Sequence, residues 1–331
     1  MNPVRLLAKW GRSRTKIPFG MFDLEKAAQA ARADAKLRSI YHRGQELAWD
    51  GRQVLRDLIQ KHGGIKLPAH QKQALARIFE TILWGELAAW KISAQLADRI
   101  EPLEAKMAAT SQTHDEARHF YVMYDYLKEL GHTPRHIDPY AQKLLDITLN
   151  TPHLADKLLG MQLMIETIAL TIFSEVRSSR IEPVLSDLLA YYEKDEARHV
   201  GLGTQYLPQL LRGLTRAQAV RTTLFQLKLI FWTLAGLKAM EPDLRTLGIE
   251  ARDMSEHGRL KQTAAFEEMW ANAGVEPTPA RYAIDRALWG IRELLFPQPG
   301  NLGNRRAQLR SAFAALRDWQ PPTAPKTQQA A

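Results

Sequence analysis

The chain has 331 residues and no cysteine. That excludes disulfides, zinc–thiolate sites and cysteine-held iron–sulfur clusters. No stretch alternates apolar and polar residues convincingly enough to read as a strand, so an all-α protein is expected. A basic N-terminus is present, but no apolar signal-peptide core follows it, and the expected location is cytoplasmic. Residues 217–240 are strongly apolar, yet Gln226, Lys228 and Lys238 interrupt them, so no transmembrane span is expected. No flavin, nicotinamide or nucleic-acid motif is recognisable. Negative charge is also in short supply: the net charge is +9. An acidic electron-transfer protein, an acidic acyl carrier or an anionic membrane surface would suit such a chain, as would solubility alone.

What is present is a pentapeptide that occurs twice. Asp115-Glu116-Ala117-Arg118-His119 returns as Asp195-Glu196-Ala197-Arg198-His199. Each copy holds Glu-x-x-His. On a helix, positions i and i+3 share a face, so one turn aims a carboxylate and an imidazole at the same point. That donor pair suits iron, manganese or zinc. Glu86 and Glu166 each precede the repeat glutamate by the same interval. Between them lie matched punctuation marks, Arg99-Ile100-Glu101-Pro102 and Arg180-Ile181-Glu182-Pro183. Proline breaks a helix interior but suits a first turn, so each half reads as helix, tight turn, helix. Glu86 and Glu116 lie equally far from their turn, roughly 22 Å along antiparallel helices. Two such hairpins put four glutamates and two histidines at one level. Glu80 is off the repeat register and is expected to be solvated. Glu193 is expected on a helix surface, and His114 has no counterpart in the second copy.

This constellation resembles the ferritin-like diiron-carboxylate proteins, whose four-helix bundles present one Glu from each of two helices and Glu-x-x-His from the other two. The residues that match are Glu86, Glu116, His119, Glu166, Glu196 and His199. The wording of the repeat is most similar to the O2-activating branch: bacterial multicomponent monooxygenase hydroxylases, ribonucleotide reductase small subunits and acyl-carrier-protein desaturases. The resemblance covers roughly residues 70–211. It implies a pair of iron ions, or an iron–manganese pair, with O2 as co-substrate. It also implies that Asp195 holds His119 and Asp115 holds His199, with Arg118 and Arg198 as partners of these acids. The position of the radical tyrosine in the reductase subunits is Met123 here, which disfavours a radical-generating subunit. The expected function is an oxidase, hydroxylase or desaturase acting on an apolar or carrier-bound molecule. Its expected partners are a separate electron donor, such as an acidic ferredoxin-like protein, and a second copy of the chain. The rival reading is a ferritin-type ferroxidase or metal store.

The expected organisation is a basic arm over 1–21, a ferritin-like helical domain over 22–298, and a short basic helix with a disordered tail over 299–331. Within the domain, the metal-binding bundle spans about 68–212 and accessory helices span 217–296. The bundle therefore has additional helices at both ends. An apolar cavity is expected to reach the metals between bundle helices, near Thr167 or Thr171.

Overall fold

The computed structural model describes residues 35–276 and 282–320. The expected arm over 1–21, residues 22–34 of the expected helical domain and the tail from 321 lie outside the described residues. Among the described residues every regular element is helical. The helices are α1 (Ala35–Glu46), α2 (Gly51–His62), α3 (Ala69–Arg99), α4 (Leu103–Glu129), α5 (Pro139–Asn150), α6 (Leu154–Ser179), α7 (Pro183–Arg212), α8 (Arg216–Thr246), α9 (Ala251–Asn272), α10 (Ala283–Leu295) and α11 (Arg305–Asp318).

Local chemistry sets most boundaries. The Asp50 carboxylate accepts the Gln53 N–H at the start of α2, and Gly63 ends it at φ 68°. Pro68 and Pro102 stand immediately before α3 and α4, and Gly131 follows α4 at φ 80°. Glu182 caps α7 by accepting the Val184 and Leu185 N–H groups, and the buried Tyr126 hydroxyl donates to it as well. The helix expected over 217–240 runs on to Thr246. Pro242 lies within its last turns, and Gly248, with φ 73°, follows its end.

α3–α4 and α6–α7 are the two hairpins. The apolar core falls into two layers, one on each side of a polar level. One layer is built around Phe79, Tyr126, Phe173 and Tyr192, and the other around Ile92, Ala108, Met161 and Leu207. α4 and α7 pack against each other, whereas α3 and α6 stand further apart. α8 and α9 cover that wider seam, and α1 and α2 pack on the α4–α7 side.

α6 departs from the expected straight helix. Leu159–Ile165 is a π-helical turn, closed by the Glu166 N–H on the Met161 carbonyl. Such turns are rare and cluster at functional sites. The two Ile-Glu-Pro turns stand 81 residues apart, one more than the 80 between the repeated glutamates, and at the end of α6 Arg180 takes the left-handed conformation at φ 48°. By length and composition α6 could cross a membrane, but 72% of its most apolar window is buried within the bundle.

Candidate metal centre

Four helices converge on the polar level. α3 brings Glu86, α4 Glu116 and His119, α6 Glu166, and α7 Glu196 and His199; none is more than 4% exposed. Their donor atoms form two groups: Glu86, Glu116, His119 and Glu196, and then Glu116, Glu166, Glu196 and His199. Within each group the atoms lie within 4.8 Å of one another. Glu116 and Glu196 belong to both. His119 Nδ1 lies 3.4 Å from Glu86, 3.7 Å from Glu116 and 3.1 Å from Glu196. His199 Nδ1 lies 3.2 Å from Glu116, 3.4 Å from Glu166 and 2.7 Å from Glu196.

Burying four carboxylates together is costly unless cations or protons offset their charge. The cluster fits metal ions on its own terms, because Glu116 Oε2, Glu196 Oε1 and His119 Nδ1 are buried without a hydrogen-bond partner. Two divalent ions would balance four carboxylates. In their absence protons take that place. Burial pushes Glu86 up to about 8 and raises Glu166 well above the carboxylate range. Burial opposes the charged forms of the histidines, but the surrounding carboxylates raise both well above their ordinary value. Burial likewise opposes ionised Glu196, and the two imidazoles hold it far below its usual range.

A ring of charge orients the histidines from behind. His119 Nε2 lies 3.0 Å from Asp195, and His199 Nε2 lies 3.4 Å from Asp115. Each aspartate thus serves the histidine of the other hairpin. Arg118 donates to Asp115 at 2.5 Å and to Asp195 at 2.9 Å; Arg198 donates to Asp195 at 2.7 Å and to Asp115 at 2.9 Å. Two acids and two guanidiniums leave the ring neutral. A carboxylate behind a ligand histidine fixes its tautomer and strengthens its basicity.

Four further residues complete the surroundings. Gln112, four residues before Glu116, donates to Glu166 at 2.6 Å and to Glu116 at 3.1 Å. Gln162 donates to Gln112 at 2.6 Å. The position equivalent to Gln112 in the second hairpin is Tyr192. Its ring stacks on His119 with centroids 4.2 Å apart, and its hydroxyl donates to the His119 carbonyl at 2.7 Å. Trp49, just before α2, donates to Asp195 at 2.8 Å. Reading the motifs alone misses these residues. Gln112 and Tyr192 were reachable, since i−4 from a ligand glutamate lies on its face. Gln162 depends on the π turn, and Trp49 on a loop far away in sequence.

Residues outside the cluster also find places. Glu80 is a correction: it is buried, not solvated. It accepts from His132 at 2.8 Å and from the backbone N–H groups of Arg135 and His136, tying down the chain after α4. Glu193 pairs with Arg177 at 2.6 Å, away from the cluster, and His114 is largely exposed. Met123 is fully buried in the core layer beside the site.

A cavity of about 190 Å³ lies in the α3–α6 seam. Glu86 and Glu166 form part of its wall, beside Thr167 and Thr171. The rest is mainly apolar, with Ala89 and Ile172 from the bundle and Leu234 and Leu237 from α8. A side chain at Gly85, also on the wall, would meet no atom within 4 Å. Both threonines turn their hydroxyls back to their own helix, to the Leu163 and Thr167 carbonyls.

No protein-family model and no curated protein sequence matches this chain. Solved structures do. Protein 19 with aldehyde deformylating oxidase activity, from Synechococcus, superposes with a TM-score of 0.57 at 20% identity. That match covers 66% of this chain and 98% of the other. A mutant R2-like ligand-binding oxidase with an aerobically reconstituted Mn/Fe cofactor superposes with a TM-score of 0.53 at 15% identity, covering 73% of this chain and 94% of the other. At these identities the likeness is one of architecture, and it establishes that this chain has the fold of a ferritin-like helical bundle.

Proposed function

We propose that the chain is an O2-dependent oxidoreductase whose two-metal carboxylate–histidine centre acts on an apolar organic molecule. The observation that carries this reading is the meeting of two features. Two four-donor groups share Glu116 and Glu196, and an apolar cavity ends at Glu86 and Glu166. A metal store has no need of the second feature. The named activities of the structural neighbours, an aldehyde deformylating oxidase and a ligand-binding oxidase with Mn/Fe, support the same class.

In this reading Glu86 and His119 would hold one ion and Glu166 and His199 the other, with Glu116 and Glu196, which belong to both donor groups, available to either. Bound as an iron or iron–manganese pair, the metals supply the redox chemistry toward dioxygen. The protein's residues do the rest. Asp115 and Asp195 keep the two Nε2–H groups directed away from the metals, so that each Nδ1 is free to bind. Gln112 holds Glu166 toward the shared pair. The apolar wall excludes water and orients a chain or ring against the Glu86–Glu166 edge. Electrons come from a separate donor protein. The positive surface would favour an acidic one.

Oxygen uptake by the iron-loaded, chemically reduced protein tests this. Uptake should rise when alkyl or aromatic compounds are added, with an oxidised product formed. Gly85→Leu, which fills the cavity without touching a donor, should suppress the additive-dependent uptake and leave metal content unchanged. Additive-independent uptake in both proteins would count against an organic substrate.

A further inference from the structure

The C-terminal hairpin carries a surface that neither the core nor the cavity uses. On α11, Arg306, Leu309, Arg310, Phe313 and Arg317 recur at helical spacing, and all are exposed. The opposite face carries buried Ala312, and Leu316 packs against Gly290 of α10. Leu309 is 49% exposed, Phe313 70%, and Leu302, just before the helix, 67%. Single exposed leucines are ordinary; Leu309 and Phe313, one turn apart on one face among arginines, are not.

Charge is sorted across the same hairpin. Between residues 283 and 318, Arg286, Arg305, Arg306, Arg310 and Arg317 are exposed. The sole exposed acid there is Asp318, which Arg317 holds at 2.7 Å and 2.9 Å. Asp285 and Glu293 turn inward and are bonded by Arg259 and Arg252. The exposed stripe of α8, Val220, Leu224, Leu227 and Phe231, is flanked by exposed Arg216 and Lys228, fewer exposed cations than the five arginines of the hairpin.

We propose that this face of α11 docks the protein on an anionic lipid surface. The helix would lie flat, with Leu309 and Phe313 entering the headgroup boundary and the arginines on lipid phosphates. An acidic soluble protein would satisfy the arginines, but the side chain that projects most freely from this face is Phe313, which a bilayer takes up. The placement agrees with the cavity. α11 packs on α10, whose Leu288 and Arg292 line the cavity, so one helix separates the docking face from the cavity wall. Apolar molecules partition into the phase this face would touch. The docking itself does not depend on the metal chemistry.

The test uses the full chain with vesicles of phosphatidylcholine, alone or with phosphatidylglycerol, at low and high salt. Binding should require the anionic lipid and weaken with salt. Arg306→Gln and Arg310→Gln should each weaken it roughly fivefold. Leu309→Ser with Phe313→Ser should weaken it by roughly tenfold or more. The emission of Leu309→Trp should shift to the blue on anionic vesicles. All these side chains are exposed, so metal content should stay as in the parent. Three outcomes would overturn the proposal. One is absence of binding to anionic vesicles. Another is dependence on the arginines but not on Leu309 and Phe313, which would indicate an acidic protein partner. The third is a dimer in solution that Leu309→Ser with Phe313→Ser dissociates.

Discussion

The two hairpins repeat their donor residues and differ in what stands behind them. Around Glu116 and Glu196 the chain repeats Asp, Glu, Arg and His at matching positions, and the structure arranges them with approximate two-fold symmetry. One step further out the symmetry ends. Tyr192 and Trp49 wall the side of the first histidine with aromatic rings, their centroids 4.2 Å and 6.3 Å from that of His119 and 5.9 Å from each other. Gln112 and Gln162 line the side of the second glutamate with amides. Gly203 stands where its repeat counterpart is Met123, and a Cβ there would come within 2.5 Å of the Gln162 side chain. A duplicated scaffold thus conserves the charge balance, while the neighbouring positions make the two halves inequivalent. The cavity is asymmetric too: it opens on the α3–α6 seam, opposite the packed α4–α7 pair.

The largest effects should fall on the shared glutamates. Glu116→Ala or Glu196→Ala should reduce bound metal from about two ions per chain to nearly none, because each belongs to both donor groups. Glu86→Ala and Glu166→Ala should each cost about one ion, since each belongs to a single group. Metal analysis after anaerobic loading distinguishes these patterns. Equal losses from all four variants would erase the distinction between shared and private ligands.

Protons provide the next contrast. In the metal-free protein burial raises Glu86 and Glu166, and the surrounding carboxylates raise His119 and His199, so all four favour their protonated forms. Metal binding needs them deprotonated, so loading should release protons, measurable with an indicator dye in weak buffer. Metal affinity should therefore fall as pH falls below about 8, the value to which burial raises Glu86. The sign for stability is the opposite. Raised groups favour the folded state at low pH, and that contribution is lost as pH rises through their folded values. Thermal melts of the metal-free protein should fall between about pH 4.5 and about 8, the ordinary and raised values of Glu86. Metal loading should remove this decline.

Much of this was legible in the sequence. The repeat, the matched prolines and the capping glycines identify the hairpins, because helix ends are set by local chemistry. The six donors follow from their shared register. What could not be read depends on tertiary placement. The π turn before Glu166 has no clear local signature. Glu80 looks like a surface residue until the loop after α4 folds over it. Trp49 reaches Asp195 only because α2 packs across α7.

A smaller effect should separate the two aspartates. Asp195→Asn and Asp115→Asn should each weaken metal binding roughly 10–100-fold. Asp195→Asn should be the more severe, since Asp195 is nearer its histidine and also holds Trp49. Calorimetric metal titration checks the order. Smaller still, Gln112→Leu should weaken the second ion and spare the first, whereas Tyr192→Phe should lower thermal stability by about 1 kcal/mol through loss of one buried hydrogen bond.

The most direct measurement of the central claim is an anaerobic ferrous titration of the metal-free protein, followed by exposure to oxygen with an apolar additive present. The account predicts saturation at about two ions per chain, then oxygen consumption coupled to oxidation of the additive. Saturation with no ion, or continued uptake of many irons into a mineral core with the additive unchanged, would contradict it.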